Sequence, residues 1–136
     1  MELNYLEQIP TVEEYLLMRE LGSLSPKSKN GAKIGLKNSY YCICVRNESN
    51  ELVGMGRVIG DGGTTFQIVD VVTKPEYQRK GIGIKVMNLL TNYLETVDEK
   101  AYINLISEKN AIKLYKRSGF IDVEPSKAMK WDRKIK

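Results

Sequence analysis

Apolar positions along the chain change their period several times, and each change predicts a different element. Thr11 is followed three residues later by Glu14, a capping box that predicts a first helix ending at Gly22. A long polar connection follows, and we expect a substrate-facing loop or a short helix over residues 22–39. Three strands joined by short turns are then predicted as an antiparallel meander, over residues 40–46, 51–59 and 64–73.

After the meander the apolar spacing becomes helical, and a long helix is predicted over residues 81–95. A strand at 101–106, a short helix at 110–118 and two short strands around Pro125 complete the series. The third meander strand and strand 101–106 are joined through the long helix, so we expect them to be parallel neighbours. The predicted fold class is α/β (α+β), one domain over residues 1–136 with a mixed central sheet and flanking helices.

Composition restricts the chemistry that the chain can perform. There is no histidine among the 136 residues, which excludes Ser-His-Asp and Cys-His systems, imidazole bases and zinc sites with histidine ligands. Cys42 and Cys44 lie two residues apart on a predicted strand and so share one face, and we interpret them as buried thiols rather than a disulfide or metal site. No apolar run is long enough to span a bilayer, and Glu2 and Glu7 stand where a signal peptide carries basic residues, so we expect a cytoplasmic protein.

The net charge of +4 equals the charge excess of residues 126–136 alone. A basic tail of this kind binds nucleic acid in some proteins, but more often it is a solvated end. Aromatic residues are not interleaved with the basic ones as a surface for single strands requires. Nucleic acid is therefore not the expected partner, although a basic nucleic-acid-binding module stays an alternative.

One segment, between the third predicted strand and the long helix, has the character of a phosphate site. Gly81 and Gly83 let a ligand approach the backbone, and the amides that open the helix lack intrahelical acceptors. The positive end of the helix dipole, with Arg79, Lys80 and Lys85, favours a multiply charged phosphate. The glycine spacing fits neither a P-loop nor the dinucleotide fingerprint.

The order Gln78, two residues, Gly81, one residue, Gly83 resembles the acetyl-coenzyme A motif of the GCN5-related N-acetyltransferase (GNAT) family. A second segment, residues 110–120, is similar to another signature of that family, and the resemblance covers residues 51–123. It implies direct transfer of an acetyl group from acetyl-coenzyme A to a primary amine of a small molecule or peptide, without a metal. Homodimers are common in the family, so a homodimer is also expected.

The resemblance also implies roles for individual residues. The turn amides would hold the pyrophosphate, the strand before the turn would pair with the pantetheine arm as an added strand, and Asn110 would touch the cofactor. Tyr115 matches the general acid that protonates the leaving thiolate, and a phenol keeps its proton at neutral pH. Without the resemblance, Tyr115 would be interpreted as a packing residue. The implied cofactor-binding residues are Val71, Val72, Thr73, Gln78, Arg79, Lys80, Gly81, Ile82, Gly83 and Asn110.

The general base is the least defined part of the predicted site. Family members often carry Glu at the position of Gln67, whose amide cannot accept a proton. Asp70 lies three residues further on and faces the other side of the strand unless a bulge intervenes. We therefore expect a water-relayed deprotonation with Asp70 as a contributor, and polarisation of the thioester carbonyl by a backbone amide near Val72.

A non-catalytic acyl-coenzyme A-binding regulatory module on the same fold is the main alternative. Such a module would keep the phosphate turn and lose the acid, so the presence of Tyr115 favours the enzyme. The identity of the acceptor depends on the first helix, residues 22–39 and the C-terminal strands. None of these segments carries a signature that distinguishes a small molecule from a protein amine.

Overall fold

Five strands lie in chain order in one sheet, as seen in a computed structural model that describes residues 2–133. Neighbouring strands are antiparallel except the last two, which are parallel. The strands are β1 (Leu3–Glu7), β2 (Tyr41–Asn47), β3 (Leu52–Gly60), β4 (Thr65–Thr73) and β5 (Tyr102–Leu105). The helices are α1 (Val12–Leu21), α2 (Lys29–Lys37), α3 (Ile82–Leu94) and α4 (Ile112–Arg117), with 3₁₀ turns at Pro75–Tyr77 and Lys109–Ala111.

The predicted meander, the long helix and the parallel pair are confirmed. The capping box is also present, since the Thr11 hydroxyl accepts from the Glu14 amide at 3.1 Å and the Glu14 carboxylate accepts from the Thr11 amide at 3.0 Å. The interpretation of α1 as the first element is wrong, because β1 precedes it. In the edge strand β1, Leu3 and Tyr5 are half-buried, but the exposed Leu6 is also apolar, so the sequence lacks a clear alternation of apolar and polar residues.

Within residues 22–39 the structure contains the short helix that was one of the two expectations. The Ser28 hydroxyl accepts from the Gly31 amide at 3.0 Å and starts α2, and Ala32 and Leu36 on its inner face are buried. Two glycines within this helix, Gly31 and Gly35, weaken the sequence signal for it.

The prediction of two short strands around Pro125 is wrong, since residues 118–133 contain no strand. Strand-like residue types are present there, but no neighbouring strand pairs with them, and Ile121, Met129 and Trp131 are exposed. The Arg133 guanidinium lies 4.7 Å from the centre of the Trp131 ring. Two lysines of the predicted basic tail, Lys134 and Lys136, lie outside the described residues.

Helices cover both faces of the sheet and create two buried clusters. α3 packs on one face, where Val86 and Leu90 approach Gly56 of β3 so closely that a Cβ there would lie 2.8–2.9 Å from their side chains. α1 and α2 pack on the other face, around Tyr15 and Met55. Both cysteines are buried and free, which agrees with their interpretation as thiols inside the protein.

Candidate functional site

The parallel strands β4 and β5 part halfway along β4. Their pairing ends at Ile68 and Leu105, yet β4 continues to Thr73. In the described part of the chain, residues 69–73 therefore have no strand beside them on the β5 side. Unpaired backbone donors and acceptors at such an edge can pair with an extended ligand.

A bulge in β4 lies in the same stretch. The register against β3 shifts between the pairs Val72–Met55 and Val69–Arg57, and Asp70 adopts a left-handed φ of 59°. The extra residue changes which side Asp70 faces. As a result Asp70 and Gln67 line the same cavity, which is described below. The sequence predicted that the two side chains would share a side of the strand only if a bulge was present.

The turn from β4 to α3 exposes a row of backbone amides. Arg79 and Gly81 both adopt left-handed conformations, with φ of 63° and 83°. The first bond of α3 back to the turn runs from the Lys85 amide to the Gly81 carbonyl at 3.2 Å. In residues 2–133, no acceptor meets the amides of residues 79–84. Curled backbone with unpartnered amides at a helix N-terminus is a geometry that binds phosphate.

These amides border a cavity of about 440 Å³, which we call the turn cavity. It brings together every predicted cofactor-binding residue except Lys80. Lys85 also differs from expectation, since its ammonium group lies 4.3 Å from the centre of the Tyr5 ring on β1. The lining residues are Gly22, Leu24, Val71, Val72, Thr73, Tyr77, Gln78, Arg79, Gly81, Ile82, Gly83, Ile84, Glu108, Asn110, Ala111, Leu114 and Tyr115.

A second cavity of about 550 Å³, the charged cavity, adjoins the turn cavity. The two share Leu24, Val71, Glu108 and Tyr115. Asp70 lies in the charged cavity only. Four cationic and two acidic side chains line the charged cavity, namely Arg19, Lys27, Arg57 and Lys130 with Asp70 and Glu108.

Asp70 is the centre of a buried polar network. Its carboxylate forms an ion pair with Arg19, accepts from Arg57 Nε at 2.8 Å and accepts from the Tyr15 hydroxyl at 3.0 Å. Arg19 also donates to the Ser25 carbonyl from Nε, at 3.0 Å. The network ties α1, β3 and β4 together, so the bulge that carries Asp70 is held by a helix and by the neighbouring strand.

Sequence reasoning did not identify the two arginines of this network. Arg57 is buried within an otherwise apolar strand, and Arg19 is buried in the last turn of α1. A buried arginine needs an acidic or carbonyl partner. A charged residue in the middle of an apolar strand was the available signal, but its partner Asp70 is 13 residues away and is brought to it only by the β3–β4 pairing.

Tyr115 stands where the two cavities meet. Burial, and secondarily the charge of Glu108, raises the pKa of the Tyr115 phenol above its ordinary value, so the group holds its proton at neutral pH. None of the described residues forms a hydrogen bond with its hydroxyl. Nearby, Gln67 donates to the Asn104 side-chain carbonyl at 3.0 Å, which fixes the amide that occupies the expected base position.

Residues 2–133 contain neither a cluster of metal-ligand side chains nor a helix that could span a membrane. Within that range, no three His, Cys, Asp or Glu side chains lie together as metal ligands do. No helix in the same range is both long enough and apolar enough to cross a membrane.

Comparison with known proteins identifies the family. Residues 24–135 match the sequence model of the acetyltransferase (GNAT) domain, so the chain belongs to the GNAT acetyltransferases. The uncharacterised N-acetyltransferase ycf52 of Pyropia yezoensis is 36% identical over 103 residues, which are 73% of this chain and 59% of that protein. The chain spans about half to three fifths of the length of the curated relatives it matches.

Solved structures agree with this assignment. A probable acetyltransferase of unknown function from meticillin-resistant Staphylococcus aureus is 37% identical, with a TM-score of 0.90 over 96% of this chain and 99% of that one. A predicted acetyltransferase from Clostridium acetobutylicum, solved with acetyl-CoA, has a TM-score of 0.73 over 95% of this chain and 96% of that one. At 15% identity, the second likeness shows the fold alone.

Proposed function

We propose that the chain is an N-acetyltransferase that moves the acetyl group of acetyl-coenzyme A directly to a primary amine of a small molecule or peptide. The observation that carries the proposal is the meeting of two cavities at Val71, Glu108 and Tyr115. One cavity presents unpartnered amides for an anionic cofactor, and the other is polar and fits an acceptor. Direct transfer requires both ligands to meet at one point, where proximity itself accelerates the reaction.

The chain's own groups fit acetyl-coenzyme A, which supplies a thioester as the acetyl donor. The amides of residues 79–84 would bind the pyrophosphate, supported by the dipole of α3 and the Arg79 side chain. The edge of β4 from Val71 to Thr73 would pair with the amide groups of the pantetheine arm. Asn110 lines the same cavity and would contact the cofactor there.

Tyr115 would act as the general acid for the departing thiolate. Its raised pKa supports this role, because a phenol that stays protonated at neutral pH can donate to a thiolate. Tyr115 is half-buried and its hydroxyl forms no hydrogen bond with the described residues, so its proton is available to a ligand.

The amine must lose a proton before or during attack. The expected contributor, Asp70, already accepts from three donors, which supports a role in positioning Arg19 and Arg57. Its part in a water-relayed deprotonation stays a prediction. Glu108 was not considered from the sequence; it is exposed, lines both cavities and acts electrostatically on Tyr115, which makes it a second candidate to receive the proton.

A thermal melt tests the cofactor site first. Ligand at about 100 times its dissociation constant adds about 2.7 kcal/mol to the free energy of unfolding. We expect acetyl-coenzyme A and coenzyme A to raise the melting temperature, and ATP to raise it less. No shift with either coenzyme A species would contradict the proposal.

Acetyl transfer to an amine panel is then followed by thiol release. Turnover with at least one amine supports the enzyme. Stabilisation by acetyl-coenzyme A without transfer to any amine would favour the non-catalytic acyl-coenzyme A-binding module instead.

A further inference from the structure

We propose that the acceptor amine carries an anionic group, a carboxylate or a phosphate, and that Arg57 with Lys27 binds this group in the charged cavity. The inference rests on the proposed function, because it names the substrate class of the same site. A polyamine, which offers only positive charge, is the wrong substrate for such a cavity.

The first step concerns charge balance. Asp70 is a single carboxylate placed between two buried guanidinium groups, those of Arg19 and Arg57. The group of three therefore keeps one positive charge in excess. Lys27 and Lys130 add two more at the cavity lining, and Glu108 subtracts one at the end next to Tyr115. Away from the junction with the turn cavity, the charged cavity is therefore cationic.

The second step concerns hydrogen-bonding capacity. Every nitrogen of the Arg19 guanidinium is used, in bonds to Asp70 and to Ser25. Arg57 differs, because Nε donates to Asp70 and Nη1 donates to the Gly35 carbonyl and the Ser39 hydroxyl, at 3.1 and 2.8 Å. Its Nη2 has no partner among the described residues.

That nitrogen also remains accessible to solvent. In the described part of the chain, no side-chain nitrogen or oxygen is both fully buried and unpartnered, so Nη2 retains contact with solvent. The residue as a whole is only 8% exposed. A guanidinium held by hydrogen bonds at two nitrogens, with the third unpartnered and accessible to solvent, is suited to an anionic ligand.

The third step concerns the surroundings of Arg57. Beside the charged cavity lies a smaller one of about 270 Å³, lined by Tyr15, Lys27, Arg57 and one side of α2 from its cap Ser28 to Leu36. No acidic side chain lines it. The positive end of the α2 dipole, at Ser28, adds to the charge of the neighbouring Lys27. Arg57 and Lys27 line both cavities, so an anion at their junction would meet both charges.

The two ends of the charged cavity therefore suit different parts of one molecule. The Tyr115 end carries the carboxylate of Glu108 and adjoins the turn cavity, where an amine would meet the acetyl donor. The Arg57 end is cationic. A molecule with an amine at one end and an acid at the other matches this order of charges.

Calorimetric titration of small amines into the full chain saturated with coenzyme A tests the inference. The probes are amino acids, each paired with the amine that lacks its carboxylate, and O-phosphoethanolamine paired with ethanolamine. We expect the acid to bind about tenfold more tightly than its partner in at least one pair, as for a charge-assisted hydrogen bond. The carboxylate and phosphate arms show which anion the site prefers.

The variant Lys27→Glu reverses one exposed charge at the cavity and leaves the buried network intact. It should remove most of the preference for the acid. Lys33→Glu is the matched control, since Lys33 is an exposed lysine of α2 that lines none of the cavities described above, and it should leave the preference unchanged.

Equal or weaker binding of the acid in every pair would overturn the inference, as would no binding by any probe or an equal response of the two variants. Failure of the proposed function gives a different result. In that case the original chain still prefers the acid and Lys27→Glu still loses this preference, but no amine is acetylated. Acetylation without any preference for an acid overturns only the inference.

Discussion

Gly81 shows how much of the proposed cofactor site depends on one residue without a side chain. Its φ of 83° is in the left-handed region, and this conformation turns the chain so that α3 begins with its amides unpartnered. An ideal Cβ there would meet no atom within 4 Å, so the space outside the turn is open to a ligand. Any side chain at this position would therefore be strained and would point into ligand space.

Gly81→Asp should weaken acetyl-coenzyme A binding by about tenfold or more, because it adds a negative charge beside the pyrophosphate and strains the turn. Calorimetric titration measures the change. Gly63→Asp is the control, since it makes the same substitution in an open turn between β3 and β4. Unchanged affinity in Gly81→Asp would remove the turn from the site.

Tyr115→Phe removes only the phenolic oxygen from the junction of the two cavities. We expect kcat to fall by about 10²-fold or more, the usual contribution of a general acid, with little change in cofactor affinity. Tyr93→Phe is the matched control, because Tyr93 stacks on Tyr41 with ring centres 4.6 Å apart and lines neither cavity. Turnover at the original rate in Tyr115→Phe would mean that Tyr115 is a packing residue.

At the scale of elements, α1 is joined to the sheet through its own cap. Glu14 closes the capping box and also accepts from Arg46 of β2, at 2.7 and 2.9 Å. The hydrogen bonds from Arg46 lower the pKa of the Glu14 carboxyl to about 2. One side chain therefore caps the N-terminus of a helix and fixes that helix against a strand.

This lowered pKa predicts an acid-dependent loss of stability. The stabilisation from Glu14 is complete above its ordinary pKa and disappears as the pH falls through about 2. Glu14→Gln can keep the cap but loses the charge, so it should lower the free energy of unfolding by up to about 1 kcal/mol at pH 7. Urea unfolding at several pH values measures this. The difference between the two proteins should shrink below about pH 4.5; a constant difference would contradict the charge argument.

Local and distant interactions explain which elements the sequence predicted. The glycine turn was predictable because its function depends on backbone freedom and a helix start, both encoded within a few residues such as Gln78 to Gly83. α2 was only an alternative because Gly31 and Gly35 interrupt its helical pattern. The network of Asp70 was not predictable, because Arg19 is 51 residues away along the chain. The absence of the C-terminal strands has the same origin, since a strand forms only where a partner edge is available.

At the scale of the whole molecule, the sheet places both cavities at the end where β4 leaves β5. The sheet also has two outer edges, those of β1 and β5, and neither has a partner strand among the described residues. The segment after α4 exposes Ile121 and Met129 to 87% and 85%. Unpaired edges and exposed apolar side chains are common at contacts between copies of a chain.

The homodimer expected from the family stays a prediction, and these features indicate where its contact would lie. Sedimentation equilibrium over a range of protein concentrations measures the mass in solution, and we expect a dimer at the higher concentrations. The double variant Ile121→Lys, Met129→Lys should shift the equilibrium towards the monomer. A monomer at every concentration of the original chain would show the prediction to be wrong.

The position of Trp131 has a practical consequence for spectroscopy. It is the only tryptophan in the sequence, and it is 76% exposed in the C-terminal segment and belongs to neither buried cluster. Its fluorescence should already resemble that of tryptophan in water before the protein unfolds. Emission from Trp131 would therefore follow the environment of this segment, while unfolding of the sheet must be followed by circular dichroism or tyrosine absorbance.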